Sequence, residues 1–290
     1  MELSVIIVSF NVRVFLKQCL LSVNRASENI DCEVLVVDNN STDGSWEMVE
    51  QEFPQIILIK NKVNQGFSSA NNQALRQTKG RFVLLLNPDT LVKADTFTKS
   101  INFMNSHPDA GAMGVRMING EGTFLPESKR ALPTLKTAFF KSFGFSFLFP
   151  ESRIFNKYYL PGIDSFETAA AEIISGAFMF MRRSVLCETG LLDEDFFMYG
   201  EDIDLSYRLL QAGYKNYYFP EIEIVHFKGK STPRDNFSDI LFFYKAMRIY
   251  VRKRCEEGNL KYWKSILIPA IYIREGLAII NRLFKIIFHQ

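Results

Sequence analysis

Arg81-Phe82-Val83-Leu84-Leu85-Leu86-Asn87-Pro88-Asp89-Thr90 is a basic residue, five apolar residues in a row, and a turn. A short unbroken apolar run bounded by turn formers predicts a strand buried on both faces. Pro88 cannot continue such a strand, so Asn87 and Asp89 fall where it breaks. In open α/β sheets, ligands bind at the carboxyl ends of strands. A carboxylate there, on a rigid support, suits a hard divalent cation held on a phosphate. Taken alone, Asn-Pro-Asp is also an ordinary turn, so its meaning depends on its surroundings.

Toward the N-terminus, residues 4–8, 33–37 and 56–59 predict three more buried strands. The first leaves through Ser9-Phe10-Asn11 and the second through the polar run Asp38 to Gly44. Residues 14–25, 45–53 and 66–77 carry apolar side chains at helical spacing between them. Strand and helix alternate four times in the first 90 residues. That pattern predicts a doubly wound, mostly parallel sheet with helices on both faces. No GxGxxG follows the first strand and no GxxxxGK[ST] occurs. Any nucleotide site therefore rests on the polar loops after strands one, two and four.

The chain has 290 residues, 47% of them hydrophobic and 23% charged, which suits one large α/β domain with an appendage. Its four cysteines form no CxxC and no zinc-type cluster with histidine, which predicts free thiols in a reducing compartment. Met1-Glu2-Leu3 runs straight into an apolar strand, so no signal peptide is expected and a cytoplasmic location is. Net charge is +2, unevenly spread: residues 241–290 hold ten Lys/Arg and three Glu, net +7, leaving −5 on the first 240. A basic tail on an acidic body points to an anionic partner for the tail.

Downstream, six phenylalanines fall within residues 139–150. They read either as core packed under the sheet or as an apolar lip for a lipid-linked substrate. Residues 172–181 predict a strand interrupted at Ser175-Gly176, a place where a ligand can approach the backbone closely. Between Asp193 and Asp204 six acids stand among aromatic residues, and a helix begins at Glu201 or Asp202 and ends at Gly213. Acids in a first helical turn suit the helix dipole, but that does not account for the aromatics beside them.

These pieces, in this order, resemble a family 2 glycosyltransferase of the GT-A fold, and within it the rhamnosyltransferase-like enzymes of cell-surface polysaccharide synthesis. The matching segments are residues 4–11, 36–44, 64–72, 86–89, 175–178 with Arg182-Arg183, 196–204 and 226–231. The resemblance implies a glycosyltransferase domain over residues 1–235, with a nucleotide-binding half (1–110) and an acceptor half (111–235). Residues 236–290 are then a basic, amphipathic helical tail. It implies that Ser9, Asn11, Asp38, Asn40, Asn64, Gly66, Asn71, Asn87 and Lys230 line the nucleotide-sugar site, and that Gly176 borders the acceptor. Asn87-Pro88-Asp89 stands where the family carries Asp-x-Asp. Asp89 would hold Mg²⁺ or Mn²⁺ on the diphosphate, with Asn87 offering only a carbonyl oxygen or a donor. His226 would complete that shell: a single His is commonly structural, but Lys228-Gly-Lys-Ser231 after it favours a phosphate-facing loop. Asp202, with Glu201 beside it, would be the general base of an inverting, in-line transfer.

The donor implied is a nucleoside-diphosphate sugar, rhamnose being one candidate, and the acceptor a glycan or lipid-linked glycan. Arg274, Asn281, Arg282 and Lys285 share one face of a helical tail that is otherwise mostly apolar. Such a tail would lie on the inner face of a membrane or pack against a second subunit, and is too interrupted to span a bilayer. Two rivals stand beside this reading. A sugar nucleotidyltransferase would need a glycine-rich basic loop after the first strand, where this chain has Ser9-Phe10-Asn11-Val12. An inactive glycan-binding or scaffold relative would explain the amide at 87. The acidic body and the lack of a reading motif argue against nucleic acid.

Overall fold

The computed structural model describes residues 1–133, 157–160, 162–229, 237–256 and 261–288. Four parallel strands open the chain: β1 (Leu3–Ser9), β2 (Cys32–Asp38), β3 (Ile57–Lys60) and β4 (Phe82–Leu86). They alternate with α1 (Arg13–Ser27), α2 (Ser45–Glu52) and α3 (Phe67–Leu75). β1 lies between β2 and β4, with Ile7 opposite both Val36 and Leu86, and β3 flanks β2. The unbroken apolar runs are explained by cover on both faces. Leu3, Val5 and Ile7 pack with Leu16, Leu20 and Val23 of α1 on one side. Ile6 and Val8 pack with Ala70, Ala74 and Leu75 of α3 on the other. Every residue of β1 and β4 is buried, and full burial of each such aliphatic side chain stabilises by about 1.5–3 kcal/mol.

The second half is mixed. It comprises β5 (Thr90–Leu91), α4 (Thr96–Ser106), β6 (Ala110–Ile118), β7 (Ala169–Ala170), β8 (Phe178–Arg182), α5 (Arg183–Thr189), α6 (Glu201–Gln211) and β9 (Lys215–His226). The sheet runs β3-β2-β1-β4-β8-β6-β9-β5, with β7 beside β9. β8 is inserted antiparallel between β4 and β6, and β6 and β9 are parallel. Because β8 runs backwards, Phe178 at its start sits opposite Leu86 at the end of β4. The Ser175–Ala177 turn thus lands beside the Asn87 turn, and Asn87 N–H donates to Ala177 O at 3.0 Å.

The strand expected over 172–181 is shorter than its apolar pattern. Only Phe178–Arg182 pairs as β8; Ser175 O accepts from Phe178 N–H in a tight turn, and Ile173 N–H reaches out to Arg130 O. Residues 173, 174 and 177 are buried in a loop, which apolar patterning does not distinguish from a strand.

The tail forms α7 (Phe237–Glu256) and α8 (Lys261–Phe288). They pack on each other through Val251, Cys255, Leu267 and Ile271, and Arg248 pairs with Glu275 at 2.5 Å. α7 also lies on the body: Phe242 stacks on Phe197 with centroids 4.5 Å apart, and Arg254 donates to Asp204 Oδ1 at 2.7 Å. The phenylalanine cluster at 139–150 lies outside the described residues.

Candidate active site

β1 and β2 end side by side, Ser9 opposite Asp38. Asp38 is 2% exposed; its Oδ1 accepts from Ser41 N–H at 2.9 Å. Its Oδ2 and the Ser9 Oγ are buried without a hydrogen bond among the described residues. Buried polar atoms in that state need a partner from outside the chain or from water. Asn11 and Asn40 take positive φ, 53° and 70°, a region Asn tolerates better than most residues. Both are exposed at the mouth. Asn11 Oδ1 accepts from Thr42 N–H at 2.8 Å, so the two loops are tied together.

Asn39 is the hub of the third wall, although nothing in its sequence context separates it from Asn40. Its Nδ2 donates to Asn64 Oδ1 and Gly66 O, and its Oδ1 accepts from Asn61 Nδ2 and Gln65 N–H. Burial is the only signal that distinguishes it. Gly66 has φ +83°, and a Cβ there would lie 2.5 Å from Phe197 O. Phe197 O in turn accepts from Phe67 N–H at 2.7 Å. Asn71 points into α3 and donates to Phe67 O, while Asn72 donates to Leu192 O and Glu194. α3 is thereby pinned to the acidic loop that precedes α6.

The turn after β4 places Asp89 within 3.3 Å of the His226 Nε2, because β5 pairs Thr90 with His226. Both side chains are nearly inaccessible, and His226 Nδ1 makes no hydrogen bond among the described residues. Asn87 is half-buried and anchored by its backbone: its carbonyl accepts from Thr90 Oγ at 2.7 Å and from the buried Cys19 thiol. Burial pushes that thiol up to about 12, so it is an inert prop. Lys228 pairs with Glu127 at 2.5 Å. Burial works against the Glu127 charge, yet the Lys228 ammonium holds its carboxyl below the usual range. Lys230 lies outside the described residues.

The N-terminus of α6 carries the acid pair. Asp202 Oδ2 accepts from Arg130 Nη2 at 2.5 Å and from Gly176 N–H at 3.2 Å. Arg130 is almost fully enclosed and also contacts the Tyr158 hydroxyl at 3.3 Å. Burial opposes its charge, but Asp202 facing it raises its pKa all the same. Sequence offers no hint of Arg130, which sits in an irregular loop. Glu201 is buried, and burial followed by the neighbouring Asp202 charge pushes its carboxyl up to about 8. The two adjacent acids therefore differ: one proton-bearing at neutral pH, one tied to a cation, an arrangement typical of acid–base sites.

Hydrogen bonds and strand pairing thus link these pieces: Ser9 lies opposite Asp38, Asn39 ties Asn64 and Gly66 to the end of β2, and Asn87 bonds to Ala177 beside Gly176, whose N–H donates to Asp202. Among the described residues no group of three or more His, Cys, Asp or Glu is placed to hold a metal. One carboxylate and one imidazole in contact are still a fitting start for Mg²⁺ or Mn²⁺, which take most remaining ligands from phosphate and water.

The sequence profile described as Glycosyl transferase family 2 matches residues 4–189. The chain is 28% identical over 276 residues to the N-acetylglucosaminyl-diphospho-decaprenol L-rhamnosyltransferase of Mycobacterium tuberculosis, covering 91% of this chain and 87% of that one. It is 27% identical over 256 residues to the rhamnosyltransferase WbbL of Escherichia coli (strain K12), covering 86% and 89%. Among solved structures, the mannosyltransferase PcManGT of Pyrobaculum calidifontis, in complex with GDP-Man and Mn²⁺, superposes with a TM-score of 0.61 at 18% identity. That match covers 96% of this chain and 74% of PcManGT, and at this identity the likeness is one of fold.

Proposed function

The chain belongs to glycosyltransferase family 2 and is a glycosyltransferase, and from that premise we propose that it transfers rhamnose, with inversion, from a nucleoside diphosphate to a lipid-linked glycan. The observation that supports the reading is that the turn carrying Asp89, itself paired with His226, is hydrogen-bonded through Asn87 to the Ser175–Ala177 turn, whose Gly176 N–H donates to Asp202. In this reading residues 1–110 hold the donor and 111–235 the acceptor. Asp38 Oδ2 and Ser9 Oγ, buried and unfilled, take hydrogen bonds from base or ribose. Asn64 and Gly66 shape the wall beside the sugar, and Asn87 faces it from the floor.

Asp89 and His226 would hold a divalent cation, with one negative charge fewer than an Asp-x-Asp motif supplies. Bound there, the cation would neutralise charge on the leaving diphosphate. Asp202 takes the proton of the acceptor hydroxyl as the new C–O bond forms and the bond to diphosphate breaks. Glu201, protonated at neutral pH, keeps a second charge away from Asp202. Gly176 leaves room for the acceptor: a Cβ there would sit 3.6 Å from the Phe67 ring and 3.7 Å from Asp202. A lipid-linked acceptor would be met at the cytoplasmic face of a membrane, with the enzyme peripheral to it.

Thermal melting with dTDP, UDP, GDP and CMP, each with and without Mn²⁺, tests the donor side. One diphosphate, enhanced by metal, should raise Tm, and Asp89→Ala should remove the metal enhancement. Asp202→Asn should lower transfer by about 10²–10⁴-fold while binding the same nucleotide. Full turnover in that variant would take Asp202 out of the mechanism, and no response to any nucleotide would refute the donor assignment.

A further inference from the structure

α8 is 28 residues long, roughly 42 Å at about 1.5 Å per residue. Its inner face is consumed by α7: Leu267 and Ile271 are buried there, and Glu275 is paired with Arg248. Its outer face is not. Tyr262, Ile266, Ile273, Leu277, Ile280 and Phe284 are all exposed, Tyr262 by 86% and Ile273 by 65%. At about 100° per residue these six fall within roughly 60° of arc. They form one continuous apolar stripe, without a charged side chain among them, along most of the helix. A stripe of that length left to water marks an interaction surface.

Charge chooses the occupant. The stripe belongs to a segment of net +7 on a body of net −5; Lys253 and Arg254 are paired with Asp193 and Asp204 of the body, which leaves +5. A second copy would bring two strongly basic segments together and repel itself. An anionic surface would be attracted to the tail. No described helix is long and apolar enough to cross a membrane, so the face lies on a surface.

We propose that the outer face of α8 docks in the headgroup region of a bilayer containing anionic phospholipid, its stripe inserted and the basic residues of the tail, Arg274 among them, set against lipid phosphates. The docked helix is continuous with the active site. α8 packs on α7, and α7 holds Asp204 through Arg254 and Phe197 through Phe242. Those contacts fall two residues after Asp202 and four before Glu201. Docking would therefore fix the acid pair relative to the plane in which a lipid-linked acceptor is presented. This last point rests on the reading of the acceptor given above; the docking itself does not.

Flotation of the full-length protein with vesicles, no donor or acceptor being present, isolates the docking step. Vesicles of phosphatidylcholine mixed with phosphatidylglycerol should carry the protein up, those of phosphatidylcholine alone much less, and added salt should weaken the binding. The double variant Ile273→Ser, Leu277→Ser should bind at least about tenfold more weakly, and Arg274→Glu should also bind less. Each should have an unchanged far-ultraviolet spectrum and Tm, since these side chains are exposed. Equal binding to both vesicle types would overturn the choice of an anionic surface. Absence of binding would overturn the docking, and a dimer in light scattering abolished by the same substitutions would assign the stripe to a second copy. Nucleotide-induced stabilisation in a protein that fails to float would leave the transferase reading standing while this inference fell.

Discussion

Glu201 and Asp202 are neighbours in the chain with opposite assignments, and pH should separate them. The folded state holds a proton on Glu201 up to about pH 8, whereas its ordinary pKa is 4.5. Stability from that proton is complete below about pH 4.5 and is lost as pH rises through about 8. A glutamine cannot ionise. The Tm of Glu201→Gln relative to the parent should thus climb by on the order of 10 °C between about pH 5 and about pH 9, at about 1.4 kcal/mol per pKa unit and about 2–4 °C per kcal/mol. A difference that stays flat over that range would mean Glu201 is already ionised when folded. Of the candidate site residues, those with local signatures are legible from sequence: Asp38 ends a strand, Asp89 follows one and Asp202 opens a helix. Asn39 and Arg130 are not, since one stands in a row of like residues and the other in an irregular loop 72 positions from its partner.

At the scale of elements, the four parallel strands are legible because each is an apolar run closed by polar turn formers, a pattern that burial on both faces enforces. The position of β8 is not. Its placement between β4 and β6 depends on pairing across some 90 residues, for which local periodicity carries no information. That reversed strand is nonetheless what brings the Ser175–Ala177 turn to Asn87. The junction of α3 with the acidic loop is held as tightly. Ala at position 66 would adopt φ +83° and set its Cβ against Phe197 O and the Phe197 ring. Gly66→Ala should cost about 1–3 kcal/mol and lower Tm by several degrees, about 2–4 °C per kcal/mol. An unchanged Tm would mean that the loop yields freely and is not part of a rigid wall.

For the molecule as a whole, composition alone suggests a body with a charged appendage, while the packing makes that appendage an integral part. Phe242 on Phe197, Arg254 on Asp204 and Lys253 on Asp193 join α7 to the loop and helix of the acid pair. Calorimetry of the full chain should accordingly show one transition. Truncation after residue 236 should lower Tm by on the order of 10 °C, because the apolar surface that α7 covers on the body would then meet water. Two separate transitions, or an unchanged melt on truncation, would make the tail an independent unit.

The Arg130–Asp202 contact has a further meaning for the cell's economy of activated sugar. Water is always present at far higher concentration than any glycan, and a free carboxylate in this cleft would help it attack the donor. With Asp202 as the proposed base, its contacts to the Arg130 guanidinium and the Gly176 N–H keep it engaged until an acceptor molecule displaces them. The enzyme is thereby expected to be thrifty: supplied with donor alone, it should release nucleoside diphosphate far more slowly than with acceptor, and exchanging Arg130 for Met should make it wasteful.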